Sequence, residues 1–265
     1  MSLILRNLSV RLGRREVLAG IDLTARAGEV TAVIGPNGSG KTTLMRTITG
    51  ELPFAGGLAL NGCDVRRTPA PRMAAMRAVL AQATPLSFPF TVAEVVRLGV
   101  EAGAAGRSAD AGALIAAALA RVDLAGQGGR LYQQLSGGEQ QRVHLARVLA
   151  QAGAPAGPGG PRWLMLDEPV SSLDIGHQLM VMRLARAFAA EGGGVLAVLH
   201  DLNLTAAHAD RVLLLSQGRV IACGAPAAVL APARLSAVYG CGLDVLPLPP
   251  RGIMVVPAAQ AACGG

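Results

Sequence analysis

Apolar and polar positions along the chain separate into two kinds of stretch. Leu3–Val10 and Val17–Ala25 are strand-like, and Gly13-Arg14-Arg15 between them predicts a turn. The apolar run Val30–Ile34 predicts a compact strand that enters a glycine-rich loop and then a helical pattern from Thr42 to Thr49. From Thr91 to Ala150 the pattern is mainly helical, with breaks at Gly103, Gly106 and Gly126–Gly129. The Gly153–Pro161 stretch is all Gly, Pro and Ala and reads as a flexible surface insertion without regular structure. Strands resume at Trp163–Leu166, Val195–Leu199 and Val212–Leu215, and Gln217-Gly218-Arg219 predicts a hairpin turn into Val220–Ala222. The tail after Gly240 is Pro-rich and patternless, and no internal repeat is visible.

Composition narrows the setting. A chain of 265 residues can bury a sizeable core as one domain. Its longest apolar runs, such as Ala113–Ala120, are soon broken by Arg121 and Asp123, well short of the roughly 18–20 residues that span a bilayer. Met1–Arg6 has no basic segment followed by an apolar stretch, so the expectation is a chain without a secretory signal, in the cytosol. Cys63, Cys223, Cys241 and Cys263 are scattered and suggest neither a disulfide framework nor a zinc site. The net charge of +7 would suit nucleic acid, but the arginines are dispersed. With four Phe, two Tyr and one Trp there is also little to stack on bases, so no nucleic-acid partner is expected.

The densest chemistry lies at Gly35-Pro36-Asn37-Gly38-Ser39-Gly40-Lys41-Thr42, a G-x-x-x-x-G-K-[ST] run set between a strand and a helix. Glycines let the backbone fold tightly, so that successive N–H groups converge on phosphates at a positive helix end. Lys41, the only lysine in the chain, is expected to neutralise phosphate charge, and the Thr42 hydroxyl to bind Mg²⁺; Thr43 adjoins them. Downstream, the apolar run Trp163–Leu166 ends in Asp167-Glu168. Acids at the C-terminal edge of a strand sit where open α/β sheets bind ligands. Asp167 is expected to hold Mg²⁺ through its water shell, and Glu168 to take a proton from the attacking water or orient it. Two adjacent acids alone mean a solvated turn; with a P-loop they indicate a nucleoside triphosphatase.

Leu135-Ser136-Gly137-Gly138-Glu139-Gln140-Gln141-Arg142, ahead of the amphipathic Val143–Ala150, narrows the class. Ser-Gly-Gly at a helix start offers a hydroxyl, bare amides and a positive helix end to an anion. One nucleotide does not need two phosphate sites in one chain. The economical expectation is that Ser136, Gly137 and Gly138 cap the γ-phosphate of ATP bound by a second copy.

With these residues on the page, the chain resembles the ABC transporter ATPase family over nearly its whole length, Leu-Ser-Gly-Gly-Glu-Gln being that family's signature. The resemblance implies an α/β P-loop NTPase fold with a RecA-like core, an N-terminal antiparallel β subdomain and an inserted helical signature subdomain. The nucleotide-binding domain would span residues 3–240, its helical part about 84–150, with a tail at 241–265. It implies that Gln82 senses Mg²⁺ and water and faces a permease, in a groove formed with the helical residues Thr91–Gly99. It further implies that Ser171-Ser172-Leu173-Asp174 crosses a dimer interface and that His200 touches the γ-phosphate. ATP and Mg²⁺ would be the ligands. The partners would be a second ATPase subunit, two transmembrane permease subunits and a periplasmic binding protein, at the cytoplasmic face of the inner membrane. One position departs from the family: Leu12 stands where an aromatic residue normally stacks on adenine, leaving Val17 to pack on the base. Phe88–Val96 and the Gly/Pro stretch resemble haem importers of Gram-negative bacteria; importers of ferric siderophores or cobalamin, from the same subclass, remain open.

The rival classes lack their marks. A DNA-maintenance ATPase needs long heptad insertions or zinc cysteines, and a translation factor two cassettes. A GTPase needs an Asn-Lys-x-Asp motif, which a chain whose only lysine is Lys41 cannot contain.

Overall fold

The computed structural model describes residues 1–82, 88–103, 110–249 and 252–258. The expected break at Gly106, the subdomain boundary at residue 84, Cys263 and the last residues of the tail lie outside these.

The chain opens with a long hairpin, β1 (Ser2–Leu12) and β2 (Arg15–Arg26), then β3 (Val30–Ile34) and α1 (Lys41–Ile48). After β4 (Ala55–Leu60) and β5 (Cys63–Asp64) come α2 (Ala70–Met76) and β6 (Arg77–Leu80). A helical stretch holds α3 (Val92–Ala102), α4 (Ala111–Ala120), a 3₁₀ turn and α5 (Gly137–Ala152). The chain continues through β7 (Ala156–Gly157), β8 (Gly160–Pro161), β9 (Trp163–Asp167), α6 (Ile175–Ala190), β10 (Gly194–Val198) and α7 (Leu202–His208). It closes with β11 (Arg211–Ser216), β12 (Arg219–Gly224), α8 (Pro226–Val229), α9 (Pro232–Tyr239), β13 (Leu243–Pro247) and β14 (Ile253–Pro257).

Two sheets carry the architecture. An antiparallel sheet has the order β2-β1-β4-β5, and a six-stranded sheet has the order β12-β11-β3-β10-β9-β6, parallel except for β12 at its edge. Three neighbouring strands, β3, β10 and β9, are buried at every position, which is why they read as mostly apolar runs rather than alternating ones, with Thr31 and Asp167 as their buried polar residues. Their side chains still alternate between two cores. Ala32, Ile34, Leu164, Leu166 and Ala197 face the helices, while Val33, Trp163, Met165, Leu196 and Val198 pack towards α1 and the antiparallel sheet. Trp163 is fully buried and still satisfied, its indole N–H donating to Asn61 Oδ1 at 3.1 Å.

One expectation needs correction. Gly153–Pro161 is not structureless. It forms the short antiparallel pair β7–β8, closed by the Arg162 N–H on Pro155 O at 2.8 Å and by the Arg162 guanidinium on Ala152 O at 2.6 Å. Those bonds come from Arg162, just outside the stretch, so its own composition could not announce them. The tail after Gly240, whose sequence gives little information, holds a strand pair: β13 and β14 pair in register from Leu243↔Pro257 to Pro247↔Ile253. Among the described residues no helix is long and apolar enough to cross a membrane.

Candidate functional site

The site is built at the C-terminal ends of the parallel strands. β3 runs straight into the glycine-rich loop, and its first position has no room for a side chain: a Cβ on Gly35 would lie 2.1 Å from Leu215 O. Gly40 takes a left-handed φ of 104° to start α1, and no side chain caps that helix. Its first amides therefore face outward unsatisfied, as an anion site requires. Lys41 is 5% exposed and its ammonium donates to Gly35 O at 2.8 Å and Pro36 O at 3.0 Å. Burial lowers its pKa, against the opposing pull of Glu168 and Asp167.

Two cavities meet this loop. One, of about 350 Å³, is lined by Asn37, Gly38, Gly40, Lys41, Thr42 and Thr43, with Leu12, Arg15, Val17 and Glu168 around it. Leu12 and Arg15 are cross-strand partners on the β1–β2 hairpin, so its aliphatic wall comes from the antiparallel sheet. The second, of about 340 Å³, brings Thr42, Gln82 and Asp167 together. Ser39 lies outside both, buried, and lines a neighbouring hollow with Pro36 and Asn37.

Asp167 ends β9 and is 4% exposed, with Oδ1 lacking any hydrogen-bond partner. Burial first, then the neighbouring Glu168, push its pKa up to about 6. A buried carboxylate oxygen without a partner, sharing a cavity with Thr42 and Gln82, suits a hard divalent cation whose remaining ligands are water and phosphate oxygens. The residues present therefore fit Mg²⁺.

Glu168 stands at the centre of the catalytic candidates. Its φ of 51° is unusual for a residue with a side chain, and its N–H donates to Val198 O at 3.2 Å. The twist turns its carboxylate to meet two groups from distant segments. Oε2 accepts from Gln82 Nε2 at 2.9 Å, and Oε1 lies 2.6 Å from His200 Nε2. The fold thus brings Gln82, Glu168 and His200 into one hydrogen-bonded row.

The signature residues lie elsewhere: neither cavity is lined by Ser136, Gly137, Gly138 or Asp174. Ser136 caps α5 in a closed box, its hydroxyl accepting from the Glu139 N–H at 3.3 Å while Glu139 Oε2 takes the Ser136 N–H at 2.9 Å. Asp174 caps α6, accepting from His177 N at 2.9 Å.

The profile of a family described as ABC transporter matches residues 18–171. The chain belongs to the ABC transporter family. The hemin import ATP-binding protein HmuV of Roseobacter denitrificans is 56% identical over 256 residues, covering 97% of this chain and 97% of that protein. The protein of the same name from Jannaschia sp. is 56% identical over 248 residues, covering 94% of this chain and 91% of its own. Among solved structures, the ATP-binding subunit of an ABC transporter superposes with a TM-score of 0.76 at 23% identity, covering 91% of this chain and 96% of that one. That likeness bears on the fold, a P-loop α/β core with an antiparallel β subdomain, as the motifs led one to expect. As an ABC transporter subunit the chain binds ATP and couples its hydrolysis to transport.

Two contacts of this ABC ATPase had no sequence signal of their own. Gln141, inside the signature run, donates to the Glu168 carbonyl at 3.2 Å and so ties the signature helix to the catalytic strand. Arg130 pairs with Glu139 at 2.9 Å from a glycine-rich turn that composition alone marks as a loop.

Proposed function

We propose that this chain is the ATPase subunit of a haem importer at the cytoplasmic face of the inner membrane, acting as a dimer beneath two permease subunits fed by a periplasmic binding protein. The observation that carries the haem reading is the 56% identity, over nearly the full length of both chains, to proteins named for hemin import. In this reading residues 3–240 form the nucleotide-binding domain, the helical part near residues 84–150 carries the signature, and 241–265 is the tail. Gln82, with the helical face Thr91–Gly99, meets the permease.

The geometry supports the following local roles. The Gly35–Gly40 loop, with Thr42 and Thr43 at the uncapped start of α1, binds the phosphates, and Lys41 leaves Gly35 O and Pro36 O to neutralise them. Thr42, Asp167 and Gln82 hold Mg²⁺, which when bound draws phosphate charge onto itself. Glu168 orients the attacking water and accepts its proton; Gln82 and His200, already on its two oxygens, fix where that carboxylate points. Ser136, Gly137, Gly138 and Asp174 sit away from the P-loop of their own chain and serve the nucleotide of the second copy.

The test combines genetics and reconstitution. Deleting the gene should abolish growth on haem as sole iron source and spare siderophore-iron and cobalamin uptake. In vesicles the complex should move haem only with ATP, and Glu168→Gln should stop it while ATP stays bound, hydrolysis falling roughly 10²–10⁴-fold. Uptake of cobalamin or a ferric siderophore instead would overturn the haem reading and leave the ATPase standing.

A further inference from the structure

The patternless tail reaches the catalytic row. His200 sits between β10 and the seven-residue α7, whose cap, Asp201, accepts from the N–H groups of Asn203 at 2.7 Å and Leu204 at 2.9 Å. So short a helix has little rigidity of its own and is held by what it packs against. At its far end Arg186 donates to His208 O at 3.3 Å. At the His200 end the anchor is Asn203, which donates through Nδ2 to Val255 O at 3.1 Å and accepts from the Val255 N–H on Oδ1 at 2.8 Å. A carboxamide has the donor and acceptor of a peptide group, so Asn203 adds to the open side of β14 as one more rung would. Besides this pair, α7 packs on β14 more than on any other element.

The hairpin that holds Asn203 is itself fixed. Val255 is buried, and Leu243, Val245 and Ile253 pack on the main core beside Leu202 and Leu204. Ser236 of α9 brackets the start of β13, accepting from Leu243 N at 2.9 Å and donating to Leu243 O at 3.2 Å. A chain of packed contacts therefore runs from α9 through the hairpin to Asn203, three residues from His200.

We infer that Asn203 is a positioning residue for hydrolysis: by clamping α7 to the C-terminal hairpin it sets where His200 meets Glu168. This rests on the proposed role of His200. The His200–Glu168 separation is 2.6 Å, and catalytic groups displaced by about 1 Å lose as much as 10²-fold in rate. Asn203 touches neither nucleotide loop, so its loss leaves ATP binding alone.

The experiment is a double-mutant cycle on the full-length chain, read by single-turnover ATP hydrolysis with protein in excess so that slow variants remain measurable. Asn203→Ala should lower the rate about tenfold with ATP affinity within twofold of wild type. Asn203→Asp, which keeps the acceptor and loses the donor, should fall between. Val255→Pro removes the N–H that Oδ1 accepts, on the edge of β14 turned away from β13, together with the buried valine side chain, and should reproduce the loss if Asn203→Ala fails to fold. In a His200→Ala background, Asn203→Ala should add nothing. A wild-type rate for Asn203→Ala, or the same fold-loss with and without His200, overturns the inference. A wild-type rate for His200→Ala overturns the role of His200 itself, a separate and distinguishable failure.

Discussion

Two glycine-rich helix starts in this protein invite comparison, because each offers backbone amides to an anion and only one is open. At Gly40 the helix α1 begins with no side-chain cap and no acid in its first turn, and Lys41 is folded back on the loop's own carbonyls. At Ser136 the helix α5 begins in a closed capping box, with Glu139 in the first turn and Arg130 on Glu139. The first start has no capping side chain; the second has tied up its Glu139 N–H and the Ser136 hydroxyl internally and carries a negative charge where a phosphate would come. The P-loop can therefore take nucleotide within one chain. Under the function proposed above, the signature serves the nucleotide of a second copy, whose γ-phosphate would have to compete for Ser136 with Glu139.

The sharpest way to break this contrast is at Lys41. Lys41→Ala should weaken ATP binding by about 2–5 kcal/mol, the range for losing one partner of a buried charge contact, read by calorimetric titration. Since Lys41 is the only lysine, an amine-selective reagent should inactivate the chain with Mg²⁺·ATP protecting. Full modification of Lys41, verified by mass spectrometry, with activity intact would remove it from phosphate binding. At the closed start, Ser136→Ala should leave ATP affinity of the isolated chain unchanged and slow hydrolysis about 10–100-fold, as expected for one charge-assisted hydrogen bond of about 1.5–3 kcal/mol. A parallel loss of affinity would place Ser136 in its own chain's site.

Smaller effects sharpen the contrast further. The open site is complete for phosphate, but its base wall is aliphatic, with Leu12 44% exposed. Leu12→Tyr should tighten ATP by up to about 1–3 kcal/mol, measured against inorganic triphosphate, which should not respond. Unchanged affinity would mean that another side chain already holds the base. The smallest effect concerns Glu139, whose carboxyl is held at about 2, first by the Ser136 N–H, then by the Ser136 hydroxyl and Arg130. A carboxylate depressed on folding stabilises fully above its unfolded pKa near 4.5 and loses that contribution as pH falls toward 2. The melting-temperature gap between wild type and Glu139→Gln should thus narrow from pH 5 to pH 3. A constant gap would mean that the box does not depend on the charge.

The P-loop, the Asp-Glu strand and the signature were legible because each packs its chemistry into contiguous residues whose order reflects local backbone geometry. The run Val30–Ile34 matched β3 residue for residue, since a strand buried on both faces is apolar apart from the buried Thr31. Gln82 and His200 were placed by resemblance alone: nothing local distinguishes a lone glutamine or histidine. Their meeting on the two oxygens of Glu168 depends on a positive φ and on pairing of strands far apart in sequence.

By itself the sequence determined the class of chemistry, through glycines, one lysine and paired acids whose spacing matters within a single turn or strand end. The capping box at Ser136 is local, set by a serine and a glutamate three residues apart, whereas only the tertiary structure decided that Arg130 meets Glu139 and that Gln82 and His200 meet on Glu168. It alone decided that the strand pair of the tail is bonded to Asn203, because that bond joins residues 52 apart and leaves no trace in either segment.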